Sequence, residues 1–122
     1  MAVYVDDMHL TQMGQFGRMK MCHMIADTDH ELHAMAARIG VDRCWWQSPE
    51  KTSGSHYDIA MRKRALAVSY GAVEITMRQC AALNFRRKVQ GVLGAPEDAE
   101  AWMLEWSRNR SAERGVLNAN ND

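Results

Sequence analysis

The chain has 122 residues, 47% of them hydrophobic, and a formal net charge of zero. It is long enough to close one core without help and too apolar for general disorder. No apolar run approaches the ~20 residues that span a bilayer. Three cysteines without paired spacing argue against a disulfide framework or a zinc ribbon.

Ala2–Val5 alternates weakly and predicts an opening strand that ends in Asp6-Asp7. The N-terminus lacks the basic and apolar regions of a secretory leader, so a cytoplasmic protein is expected. Residues 9–18 contain Gly14 and Gly17 and predict a loop or hairpin connection. Met21–Ala26 predicts a second strand, with Cys22, Met24 and Ala26 on one face and Met21, His23 and Ile25 on the other. Thr28 and Glu31 form a capping box. Leu32, Met35, Ala36 and Ile39 follow at helical spacing, and Gly40 closes that helix.

Cys44–Gln47 is expected as a short strand, and Ser48–Ser55, with Pro49 and Gly54, as an exposed loop. His56-Tyr57-Asp58 is expected to lead into a second helix over roughly Ile59–Tyr70, stopped by Gly71. Val73–Thr76 predicts a strand. Thr76 and Gln79 predict a second capping box, and Met77, Ala81, Phe85 and Val89 recur every four residues along the helix behind it. Gly91 and Gly94 mark a break. Pro96, Glu97, Asp98 and Glu100 favour the start of a last helix. Its stripe of Ala99, Trp102, Met103 and Trp106 must dock on its own domain or on a second subunit. The expected class is α+β, a small sheet packed with helices. Residues 1–90 form the domain, 91–110 a helical extension and 111–122 a tail without regular structure.

The ordered run V-Y-V-D-D-M, G-R-M-K-M-C-H-M-I-A-D-T, E-L-H-A-M-A-A-R-I-G, W-x-Q, H-Y-D-I, K-R-A-L-A-V and G-A-V-E-I-T-x-R-Q closely resembles a family of short bacterial and bacteriophage proteins labelled only as a domain of unknown function. The resemblance covers about residues 1–90. It implies polar motif positions at Asp6, Arg18, His23, Asp27, His33, Gln47, His56, Tyr57, Asp58 and Arg64. The chain departs from the family at Met77, where a tryptophan is usual, and at Cys44, where a basic residue is common. A phage-type member fits an anti-defence role against host nucleotide signalling.

Histidine exchanges protons near neutral pH, so His23, His33, His56 and Asp58 are the candidate catalytic residues. Asp6, Arg18, Asp27, Gln47, Tyr57 and Arg64 are the candidate ligand-binding residues. Each also has a bland explanation: an N-cap for Asp58, a half-buried strand position for His23, simple solvation for Asp6 and Asp7. Four residues along a strand separate His23 from Asp27 by about 13 Å, too far to share an ion. Residues 61–90 hold Arg62, Lys63, Arg64, Arg78, Arg86, Arg87 and Lys88 against Glu74 alone. They form either a solvated face or a phosphate-binding surface.

No G-x-S-x-G, P-loop or H-E-x-x-H is present, and nothing supports sequence-specific nucleic-acid reading. The expected function is hydrolysis of a phosphate-containing nucleotide or nucleotide-derived signal by histidine acid/base chemistry, as in a phosphodiesterase. The alternatives are a protein that sequesters such a ligand, and an interaction protein whose motif residues only hold the fold. Any cofactor or metal is left open, a bound metal being expected to be catalytic and weakly held. A homodimer through the Trp102–Trp106 helix is expected.

Overall fold

Val3-Tyr4-Val5 forms β1, and its short alternating side chains are all buried because both sheet faces are covered. The structure is a computed structural model that describes residues 2–52 and 54–121, with side chains through Gly115. After two 3-10 turns, Met8–Leu10 and Gln12–Gly14, the chain enters a hairpin of β2 (Gln15–Phe16) and β3 (Met19–Ala26). Gly14 is required there: a Cβ would stand 2.4 Å from the Met8 carbonyl oxygen. The helix α1 (Asp29–Ile39) follows β3, then β4 (Tyr57–Ala60), α2 (Met61–Ser69), β5 (Val73–Glu74), α3 (Met77–Gln90) and α4 (Pro96–Asn121).

β3 is the hub. It pairs antiparallel with β2 at its start, with β4 along Met21–Met24, and with β1 along Met24–Ala26. β5 lies parallel to β1 on the far side. The period-2 alternation then sends the strands into two clusters. Val3, Val5, Cys22, Met24, Ala26, Tyr57 and Ile59 pack with Leu32, Met35, Ala36 and Ile39 of α1 and Ala67 of α2. Tyr4 and Ile25 pack with Ile75, Cys80, Ala82 and Leu83, then Leu93 and Ala99. The fold is therefore α+β as expected, a five-stranded mixed sheet between α1/α2 and α3/α4. Truncating Leu32 or Leu83, both fully buried, should cost about 2–5 kcal/mol.

Both predicted helix starts form. Thr28 Oγ accepts from the Glu31 amide at 3.2 Å, and Thr76 and Gln79 close a reciprocal box. Other expectations change. Cys44–Gln47 is not a strand: Asp42 accepts from the Cys44 amide at 2.8 Å and winds Arg43–Trp45 into a 3-10 turn. Only Gln47 bridges to the sheet, opposite His56. The second helix starts at Met61, not Ile59, because Tyr57–Ala60 pairs with β3. Asp58 is therefore a strand residue, and α2 begins after Ala60 without a side-chain cap.

The predicted stripe on α3 is out of phase. Steps of four residues drift by about 40° each, so Ala81 and Val89 are exposed while Cys80, Ala82, Leu83 and Arg86 are buried. Phe85, between the two faces, meets Trp102 and Trp106 at ring distances of 6.0 and 4.8 Å. The tryptophan helix thus docks on α3 of its own chain. Arg86 anchors the turn between them through the Leu93 and Ala95 carbonyls and Asp98. The helix also continues through 111–121, where a tail is expected from sequence; Ala112, Glu113 and Arg114 favour helix. No helix among the described residues is long and apolar enough to cross a membrane.

Candidate metal centre

Where β1 runs out, Asp6 continues its ladder, its amide donating to the His23 carbonyl at 3.0 Å. His23 in turn stands directly opposite Asp58 on β4. Asp6, His23 and Asp58 thus form a row across three strands, on the face covered by α3. His56 lies two residues before Asp58 and so shares its face. The backbone of His56 exchanges two hydrogen bonds with Gln47, at 2.9 and 3.1 Å.

Each side chain in this row is held from behind. Asp6 is fully buried. Its Oδ1 accepts from the His23 amide at 2.8 Å and the Met8 amide at 3.2 Å, and its Oδ2 from His23 Nδ1 at 2.7 Å. Burial raises its pKa, but the hydrogen bonds from His23 and the charge on that ring outweigh it and hold the carboxyl below its usual range. His23 shows the same balance from the other side. Burial lowers its pKa, and the bond to Asp6 with the charges of Asp6 and Asp58 raises it further than burial lowers it.

His56 is buried, not exposed at the end of a loop, and its Nδ1 faces the Gly54 carbonyl at 2.7 Å. A carbonyl only accepts, so Nδ1 carries a proton, and in the neutral ring Nε2 keeps the lone pair. Gln47 Nε2 donates to Asp58 Oδ2 at 2.7 Å. The other oxygen, Asp58 Oδ1, is buried and has no hydrogen-bond partner among the described residues. It lies 3.7 Å from His23 Nε2 and 3.6 Å from His56 Nε2. The three atoms fall within 4.8 Å of one another, and the two rings meet edge to face at 5.1 Å. These three residues have the donor set to hold a metal ion. Cys80 approaches the Asp6–His23 pair from α3, but burial and then the Asp6 charge push its thiol up, so it stays protonated.

The other predicted residues fall elsewhere. Tyr57 alternates to the opposite face, where its hydroxyl meets His33 Nδ1 at 2.7 Å and Trp46 packs on His33. Asp27 accepts from the Ala2 amide at 2.8 Å. Arg64 spends its guanidinium on the Asp6 carbonyl and on Glu74. Arg18 is exposed in the β2–β3 turn.

A cavity of about 390 Å³ has Gly54 and Ser55, the residues before His56, in its wall. Its lining includes Asp27, Asp29, Asn84, Arg87 and Lys88. Arg87 braces it by donating to the Ala26 and Ser55 carbonyls and to Asn84. Arg87 was legible in sequence only as part of a basic run. Gly54 left no signal, since it acts through its carbonyl. Cys80 could have been found from its i, i+3 spacing with Leu83.

The chain matches no curated protein and no solved structure. Residues 3–87 match the family described as "Protein of unknown function (DUF4031)", and the chain belongs to that family. The match includes the whole His–Asp cluster and ends before α4.

Proposed function

We propose that the chain hydrolyses a phosphate-containing small molecule of the nucleotide class in the cytoplasm, where a phage-type protein would act against host signalling. The observation that supports this reading is the convergence of His23 Nε2, His56 Nε2 and Asp58 Oδ1, with a cavity walled by Gly54 and Ser55, the residues before His56. Such a group can withdraw a proton from an attacking water. The cavity has room for a nucleotide-sized ligand, and Lys88 in its lining can meet a phosphate, against the opposing charges of Asp27 and Asp29. The test is incubation of the protein with a nucleotide and cyclic-nucleotide panel, with products followed by chromatography. New products that disappear in His56→Ala support hydrolysis; intact nucleotides throughout overturn it.

One observation favours the sequestering reading. His56 turns Nδ1 toward the cavity wall at Gly54 and Nε2 away from it, so a ligand in the cavity could bind without meeting the cluster. Reversible depletion of a nucleotide without product identifies that outcome. A homo-oligomer belongs to the same proposal. Trp102 and Trp106 remain half-exposed beside Phe85, and Leu104 is exposed. Light scattering of the wild type and of Leu104→Glu decides it: a dimer lost in the variant supports an α4 interface, and a monomeric wild type removes it.

A further inference from the structure

We infer that His23 Nε2, His56 Nε2 and Asp58 Oδ1 bind one divalent transition-metal cation of the zinc type. The inference deepens the hydrolytic reading, because a bound cation would make its own water easier to deprotonate, in place of base catalysis by imidazoles that serve as ligands. The site itself stands on geometry, whether or not a nucleotide is turned over.

Both histidines are locked in the same tautomer. His23 Nδ1 donates to an ionised carboxylate and His56 Nδ1 to a carbonyl. In the neutral rings each Nε2 therefore presents a lone pair, and both face a carboxylate oxygen that has no hydrogen-bond partner among the described residues. Three acceptors pointed at one another repel unless something positive sits among them. A proton would draw a nitrogen and the oxygen to about 2.7–2.9 Å. The observed gaps of 3.6 and 3.7 Å are too long for a hydrogen bond. They lie close to the separation of about 3.3 Å between neighbouring ligands of a tetrahedral ion with bonds near 2.0–2.1 Å.

The supporting shell is the kind that metal-binding histidines use, an acceptor behind each ring and a donor behind the carboxylate. Here these are Asp6, the Gly54 carbonyl and Gln47. Two imidazoles with one carboxylate select a borderline cation over magnesium or calcium. Three protein ligands leave at least one position open. The His23 and Asp58 side chains are 28% and 36% exposed, while the Asp58 Oδ1 atom itself is buried.

The test uses the full-length protein stripped with chelator and titrated with zinc chloride, and separately with cobalt chloride, without any nucleotide. One equivalent should bind, with magnesium in excess failing to compete. His56→Gln and Asp58→Asn should weaken binding more than the ~100-fold seen for loss of supporting residues, and Gln47→Leu by about 10-fold. Nitrogen-15 spectra of wild-type imidazoles with zinc should show Nε2, not Nδ1, shifting in both His23 and His56. That measurement holds even if a variant fails to fold. Absence of saturation below ~1 mM, where affinity falls to about 4 kcal/mol, overturns the site. So does binding that survives Asp58→Asn, or a shift at another nitrogen. Metal-loaded protein that leaves every nucleotide intact refutes the hydrolytic reading and keeps the cation site.

Discussion

On the α1 side of the sheet, His33 Nδ1 and the Tyr57 hydroxyl meet at 2.7 Å, and Trp46 closes over the ring. On the α3 side, His23, His56 and Asp58 bring three acceptors together at 3.6 and 3.7 Å. The two groups are neighbours in sequence, since Tyr57 lies between His56 and Asp58. One strand sends alternate residues to opposite faces, and the chemistry divides with them. A phenol carries both a donor and an acceptor, so the His33 pair is complete in itself. The α3 group lacks a donor at its centre. Buried polar groups are nearly always satisfied, so the proposed ligand falls to the unfinished group, and the finished one packs α1 against the sheet.

The largest expected effect tests that division directly. His56→Ala should lower nucleotide hydrolysis by about 10²–10⁴-fold, read as product formed under saturating substrate. An equal loss in His33→Ala would erase the distinction between the faces. A smaller effect lies on the other side. Tyr57→Phe leaves the half-buried His33 Nδ1 without its partner and should cost about 0.5–1.5 kcal/mol in urea unfolding. No measurable loss would mean that the pair does not hold α1 to the sheet.

Asp58→Asn should do the opposite in the metal-free protein at about pH 9, where free imidazoles are neutral. The new amide can keep the Gln47 bond through its oxygen and donate toward the two Nε2 atoms. Unfolding free energy should rise by about 0.5–1.5 kcal/mol. A fall of that size would show that the three acceptors are not in conflict.

The smallest effect concerns pH. Burial, then the Arg43 charge, lowers the His33 pKa below its ordinary value. The folded chain therefore binds that proton less readily than the unfolded chain. The contribution is intact above the ordinary imidazole value of about 6.5 and is lost as pH falls from there through the folded value. Chemical unfolding between pH 8 and pH 5 should show a shallower decline in His33→Gln than in wild type. Parallel curves would assign the decline to other groups.

Local chemistry in the sequence was enough for β1, β3, α1 and the two capped helix starts. Alternation in Cys22–Ala26, the Thr28 and Thr76 caps and Gly40 act within a few residues of themselves. The same reach explains the failures. Asp42 stands two residues before the amide it caps, yet Cys44–Gln47 still reads as apolar strand. Tyr57–Ala60 is a strand only because β3 offers its edge, and no local signal records a partner 35 residues away.

Candidate residues were legible as types: histidine and aspartate stand out wherever they fall. Which of them share a face was decided by register. Pairing His23 with Asp58 and Met24 with Tyr57 put the acid with two histidines on one side and the phenol with the third on the other. A slip of one residue would have exchanged the sets. Tertiary structure also consumed much of the basic run: Lys63, Arg64, Arg86 and Arg87 bind backbone carbonyls. A cation's partner is set by what folds against it, and that is information the order of residues does not display.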